Sequence, residues 1–232
     1  MRSSPSVVIP TLNEEKCLPG TLDSVFDAWP QAEVIVSDCG SADDTVVIAK
    51  QRGAQVLISP QPGRGSQMRL GADAASRPWI LFLHADTRVN AACAQVAEAF
   101  VDDPQALIAT FRLRFDYPER LLWRSVKAVR FDSIFTRFGD QGILVRASYY
   151  RKLGGFQAWP LFEDVDLLRR ARRDGPVVSL PATVTTSARR FRSKGTFTQQ
   201  LRNAWLLLLF LAGADPHRLA RAYPANSSLS DK

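Results

Sequence analysis

The chain has 232 residues, 46% of them hydrophobic and 23% charged, which is enough to close one sizeable core and excludes a disordered chain. Thirty Lys and Arg against 23 Asp and Glu leave a formal charge of +7, which favours an anionic partner without choosing among nucleic acid, phosphorylated metabolite and acidic lipid. Cys17, Cys39 and Cys93 are odd in number and widely spaced, with only two histidines in the chain; neither a disulfide framework nor a structural zinc site is indicated, and a reducing cytoplasm fits.

The N-terminal residues offer only the short apolar run VVIP before polar residues begin, which predicts no secretory signal. Residues 6–10 (SVVIP) read as a buried strand, and Leu18, Leu22, Val25, Phe26 and Trp29 then fall at helical spacing. EVIVSD (33–38) is a second strand, so the chain opens with a βαβ unit. Residues 43–52 predict a helix closed by Gly53, 54–59 a third strand, 66–75 a helix and 79–84 (WILFLH) a fourth strand. This alternation predicts a doubly wound α/β fold with a mostly parallel sheet. Next come a helix near 90–102, a strand over 107–115 and a basic amphipathic segment over about 119–138, where the alternation is lost. Residues 142–156 read as a strand and a short helix. Residues 163–175 (EDVDLLRRARRDG) read as a helix with acids in its first turn, arginines later and Gly after its end.

Ligands of open α/β sheets collect at the carboxyl ends of the strands. The successive strand ends carry PTLNEE (10–15), SDCGSADDT (37–45), QPGRGSQMRLGA (61–72) and HAD (84–86). Each alone suits a solvated turn, since Asn, Asp, Gly and Ser favour loops for backbone reasons. Their recurrence at one strand end after another favours a binding site.

VVIPTLNEE, VSDCGSADDT, GRGSQMRLGADAA, ILFLHAD and FEDVDLLRR occur in the order and approximate spacing of the family 2 glycosyltransferases, and over about residues 5–175 the chain resembles that family. GDQGILVR (139–146) and the tail pattern LRNAWLLLLFLAGADPHRLARAY further resemble a bacterial subgroup associated with radical-SAM and selenium-domain proteins. The resemblance implies a GT-A fold, with residues 1–195 as the catalytic domain and 196–232 as an amphipathic helical tail. It also implies a nucleotide-diphosphate sugar donor, UDP rather than GDP, and a divalent cation, Mg2+ or Mn2+.

A diphosphate leaving group concentrates negative charge, which such a cation neutralises while hard oxygen ligands leave positions open for phosphate and water. Asp86 is then the metal ligand, and His84 and Ala85 complete a DxD-type donor motif. The first Asp of that motif, which meets the ribose in the family, is replaced by His84. By the same resemblance Asp38 meets the nucleobase, and Pro10, Leu12 and Glu14 form the opposite wall. Cys39 stands where a DDGS stretch carries its second Asp and takes no role. Gly63 and Gly65 flank Arg64, a combination that suits backbone approach to an anion beside a guanidinium. Glu163, Asp164 and Asp166 fall within one helical turn, and clustered carboxylates raise one another's proton affinity, as a general base requires. The resemblance puts the base at Asp164, with Glu163 contacting acceptor or orienting the loop, and an inverting displacement follows. Arg189, Arg190 or Arg192 is expected to close over the diphosphate.

The uncharged stretch AWLLLLFLAGA (204–214) is well short of the ~20 residues needed to span a bilayer. With Arg189, Arg190, Arg192, Lys194 and Arg202 before it, two readings stay open: an interfacial helix on anionic lipid, or a helix packed on protein. The first implies a lipid or lipid-linked acceptor and a cytoplasmic protein peripheral to the membrane. Rival classes fit less well. HADTR imitates the DxDx(T/V) strand end of haloacid-dehalogenase phosphatases, but His84 replaces the nucleophile. A sugar nucleotidyltransferase, or a GT-A-like binding protein without transferase activity, is the alternative; the former wants a Gly-rich basic loop where PTLNEE stands. A nucleic-acid-binding module would interleave basic and aromatic residues or carry a helix-turn-helix, and neither is present.

Overall fold

The computed structural model describes residues 4–116, 139–187 and 196–222. The first half of the chain lays down β1 (Ser6–Thr11), α1 (Leu18–Ala28), β2 (Glu33–Asp38), α2 (Thr45–Gln51), β3 (Gln55–Ile58), α3 (Arg64–Ala74) and β4 (Trp79–Phe82). The second half adds β5 (Thr87–Arg88), α4 (Ala91–Val101), β6 (Ile108–Phe115), a 3-10 turn (Gly139–Gln141), β7 (Ile143–Arg146), α5 (Ala147–Lys152), α6 (Glu163–Ala171), β8 (Val178–Thr186), α7 (Thr196–Leu211) and α8 (Pro216–Ala222). The strands join in the order β3-β2-β1-β4-β7-β6-β8-β5. The pairs β3/β2, β2/β1, β1/β4 and β6/β8 are parallel, and β7 runs antiparallel to both β4 and β6.

The runs of β1, β2 and β4 are almost continuously apolar because this part of the sheet is covered on both faces. Val7, Ile9, Val36, Leu81 and Leu83 pack against Leu18, Leu22 and Val25 of α1 and Cys93 and Ala97 of α4. Their alternates Val8, Ile35, Ile80 and Phe82 pack against Met68 and Ala72 of α3 and Leu167 and Leu168 of α6. The period of two along each strand sends successive side chains into opposite layers. On the second face α3 lies so close that a Cβ on Gly71 would come within 2.4 Å of Val8 Cγ1.

Several boundaries differ from the sequence reading by one to four residues, and two of them bear on the site. Helix α3 starts at Arg64 rather than Ser66, and β4 stops at Phe82 rather than His84. The β1/β4 ladder pairs only Ser6–Val8 with Ile80–Phe82; Leu83 N–H still donates to the Val8 carbonyl at 3.0 Å, after which Thr87 N–H closes a turn on the His84 carbonyl at 3.1 Å. Pro10 is tolerated in this interior strand because it follows Val8 by two residues and so faces the side where β4 has already ended, and no ladder bond is missed. Strands β1 and β4 therefore part at their carboxyl ends, at the point where chain order reverses direction across the sheet. The basic segment 119–138 lies outside the described residues, as do Arg189, Arg190 and Arg192.

Candidate active site

The loops after β1 and β2 are knitted into one wall. Asp38, wholly buried at the end of β2, accepts from Thr11 Oγ1 at 2.8 Å, from the Ser41 N–H at 2.8 Å and from Ser41 Oγ. These donors occupy most of the roughly four acceptor positions of a carboxylate and fix its plane. Asn13, in the left-handed region at φ 55, accepts from Ala42 N–H at 2.8 Å, and Glu14 N–H donates to Thr45 Oγ1 at 2.8 Å. Pro10 is buried in β1, Glu14 is half-buried, and Leu12 stands 51% exposed on the rim. Gln67 of α3, to which the sequence reading gave no role, is buried and donates through Nε2 to the carbonyls of Thr11 at 2.6 Å and Ser37 at 2.7 Å. It bolts helix to strand ends.

The HAD turn is held by its backbone. Thr21 Oγ1 donates to the Ala85 carbonyl at 2.7 Å, and Ser187 N–H donates to the Asp86 carbonyl at 3.2 Å. Ala85 is buried, whereas His84 and Asp86 are half-buried. The Asp86 carboxylate receives a long contact of 3.5 Å from Thr186 Oγ1. It is thus a positioned but lightly engaged hard-oxygen donor. Among the described residues no three His, Cys, Asp or Glu side chains cluster as a metal cage, so a cation held here would draw most of its ligands from elsewhere.

The third wall comes from α6. Glu163 is fully buried and pairs through Oε1 with Arg64 Nε at 2.8 Å. Burial pushes its carboxyl above the usual range; the neighbouring Asp164 adds to that rise and Arg64 opposes it. Asp164, 7% exposed, accepts from Gly139 N–H at 2.6 Å through Oδ2 and from Val165 N–H at 2.8 Å through Oδ1. Asp166 points into a different interaction, an ion pair with Arg170 at 2.7 Å. Gly65, read from sequence as room for an anion, packs instead on backbone: its N–H donates to the Trp159 carbonyl at 3.3 Å, and a Cβ there would sit 2.1 Å from the Gln157 carbonyl.

Gly139 is the junction of the walls. A Cβ on it would lie 3.0 Å from Asp164 Oδ2 and 3.2 Å from His84 Nε2. The HAD turn and the EDVD helix, far apart in sequence, therefore meet over one residue without a side chain. The structure brings together His84, Glu163, Asp164 and Arg64 on this side and Thr11 and Asp38 on the other. The arrangement offers a lightly engaged carboxylate, a buried carboxyl pair and a guanidinium along the carboxyl edge of one sheet.

Residues 6–154 match the sequence profile of glycosyl transferase family 2. Uncharacterized glycosyltransferases of Mycobacterium tuberculosis and Mycobacterium bovis are 38% identical over 86 residues, or 37% of this chain and 38% of their own length. The chain thus matches well under half of these relatives. Among solved structures, S. aureus TarS 1-349 in complex with UDP is similar with a TM-score of 0.65 and 19% identity, over 80% of this chain and 60% of that one. Glucosyl-3-phosphoglycerate synthase from Mycobacterium tuberculosis, in complex with Mn2+, UDP and glucosyl-3-phosphoglycerate, is similar with a TM-score of 0.62 and 20% identity, over 92% and 81%. At these identities the likeness is one of fold.

Proposed function

Because this chain belongs to glycosyl transferase family 2, we propose that it is a metal-dependent, inverting glycosyltransferase that moves a sugar from a UDP-sugar to an acceptor hydroxyl. The observation that carries this reading is the meeting of His84 and Asp164 over Gly139, which sets a carboxylate beside the donor motif. UDP is preferred because both structural relatives above were crystallised with it.

Asp38, braced by Thr11, takes the nucleobase side together with Pro10, Leu12 and Glu14 of the same wall, and His84 and Ala85 take the ribose side. Asp86 suits Mg2+ or Mn2+: a single hard-oxygen ligand fits an ion that keeps water and phosphate as its remaining partners. Such an ion supplies Lewis-acid neutralisation of the diphosphate. Arg64 adds fixed positive charge to that side while its Nε holds Glu163. Asp164 accepts the acceptor's proton; the acceptor oxygen bonds to the anomeric carbon as the bond from that carbon to the diphosphate oxygen breaks, and the electron pair leaves on the diphosphate. A base separate from the leaving group gives displacement from the opposite face and inversion.

The tail supports a lipid or lipid-linked acceptor and a cytoplasmic, membrane-peripheral placement within this proposal. Among the described residues no helix is long and apolar enough to cross a membrane. Helix α7 leaves Trp205 62% and Leu208 51% exposed, and Arg218 and Arg221 are exposed on α8, a combination that suits shallow contact with anionic lipid. The subgroup assignment rests on GDQGILVR and the tail pattern.

The test is a thermal-shift titration with UDP, with and without Mn2+, joined to a donor-library transfer assay read by mass spectrometry. Stabilisation by UDP at 100 times its dissociation constant is about 2.7 kcal/mol. Wild type is expected to gain it only with Mn2+, Asp86→Asn to lose it, and Asp164→Asn to keep it while losing transfer. Equal UDP stabilisation after chelation overturns metal dependence, and selective stabilisation by free nucleoside triphosphates favours the nucleotidyltransferase.

A further inference from the structure

Phe162, the residue immediately before the Glu163–Asp164 pair, sits in the left-handed region at φ 64. A bulky residue there is an outlier that persists only where its surroundings over-determine it. The surroundings are supplied by α7 and α8. The Phe162 ring stacks on Phe210 of α7 with centroids 5.0 Å apart and 24° between planes, and Trp159 meets the same Phe210 ring edge-on at 5.9 Å. Leu206, Leu207, Phe210 and Leu219 bury themselves with Val165, the residue after Asp164. On its other side the segment is pinned by the bond from Gly65 N–H to the Trp159 carbonyl. The turn that aims the two carboxylates is thus clamped between α3 and the tail. Glycine or asparagine would adopt this backbone at lower cost, so a phenylalanine here points to its ring as the reason.

We propose that Phe210 is a positioning residue: its stack on Phe162 holds the left-handed turn that directs Glu163 to Arg64 and Asp164 to Gly139, making the tail helix a working part of the active site. The activity readout rests on the transferase reading above; a second readout does not.

The experiment uses the full chain and compares Phe210→Ala, Phe210→Leu, Phe210→Tyr and Leu219→Ala. Leu fills the space without a ring and keeps the protein folded if Ala does not. Tyr restores the ring. Leu219 shares the cluster but takes no part in the ring contacts. Donor turnover is expected to fall in kcat at least tenfold in Phe210→Ala and several-fold in Phe210→Leu, with donor KM within threefold of wild type. Phe210→Tyr and Leu219→Ala are expected to stay within about twofold in kcat. Hydrogen exchange is measured alongside at the Gly139 and Val165 amides, whose bonds to Asp164 report its position. Both are expected to exchange at least tenfold faster in Phe210→Leu, while the β1/β2 amides are unchanged. Wild-type kcat together with wild-type Gly139 protection in Phe210→Leu overturns the proposal, as does an equal kcat loss in Leu219→Ala. Should wild type turn over no donor, the transferase reading falls, and exchange alone still decides the role of Phe210.

Discussion

Gly139→Ala perturbs the proposed site with the fewest atoms. Gly139 is not among the residues at positive φ, so alanine meets no backbone penalty there. The added methyl meets Asp164 Oδ2 at 3.0 Å, Asp164 Cβ at 3.2 Å and His84 Nε2 at 3.2 Å. These contacts are a few tenths of an ångström too short. Asp164 is poorly placed to yield, because its carboxylate is held at 2.6 Å by the Gly139 N–H itself and at 2.8 Å by Val165 N–H. Moving it weakens a charge-assisted hydrogen bond worth about 1.5–3 kcal/mol, and overpacking of this kind costs about 1–3 kcal/mol. We expect urea unfolding to show a loss of about 1–3 kcal/mol with an unchanged m-value. Donor turnover should fall by about 10- to 100-fold, since a misplacement near 1 Å can cost about 100-fold. UDP affinity should fall less than turnover, because the methyl meets His84 on the ribose side but leaves Asp38 and Thr11 untouched. An alanine variant with wild-type stability and turnover within twofold would refute the claim that His84 and Asp164 meet over this residue.

Two further outcomes follow from the same geometry. Glu163 has a carboxyl raised by burial above its ordinary value of 4.5; between 4.5 and the raised value the folded state holds a proton that the unfolded chain has released, so stability falls as pH rises through that window, by at most about 1.4 kcal/mol per pH unit. Melting temperatures of Glu163→Gln should lack this downward slope, and parallel profiles for the two proteins would contradict it. Gly65→Ala puts a methyl 2.1 Å from the Gln157 carbonyl and 2.9 Å from that of Trp159, so backbone must move, whereas Gly40→Ala meets open space and bears only the strain of φ 77. Denaturant unfolding should therefore show Gly65→Ala as the more destabilised, with Gly40→Ala down by about 1–2 kcal/mol; the reverse order would overturn the packing argument.

The parallel half of the fold was legible because β1, β2 and β4 are buried on both faces and bounded by turn residues. EVIVSD reads as residues 33–38 and folds as Glu33–Asp38. Residues whose work is done by a distant partner were less legible. Arg64 between two glycines reads as an anion contact; that its Nε also faces Glu163, a carboxylate on another helix, is invisible when only its neighbours are seen. Gly65 looks like room for a ligand and is instead room for the backbone at Gln157. Gln67 stands inside the stretch GRGSQMRLGA with nothing around it in sequence to name its partners. Its signal was available, since a polar residue beside Met68 in a helix must find partners if buried, but naming the carbonyls of Thr11 and Ser37 needs the sheet order.

The tail shows why composition left two readings open. An apolar stretch flanked by basic residues satisfies lipid and protein equally, because both remove the same side chains from water. The helix divides the matter by face: Leu206, Leu207 and Phe210 are buried, while Trp205 and Leu208 are exposed. A helix of purely interfacial design would have no need of a ring stacked on the residue that precedes the carboxylate pair. One that served only as packing would have little reason to keep a tryptophan 62% exposed. Phe210 touches the turn before Asp164, and Trp205 lies five residues away on the same rigid element. Any surface that engages the exposed face therefore acts on a helix already packed against the turn before Glu163 and Asp164.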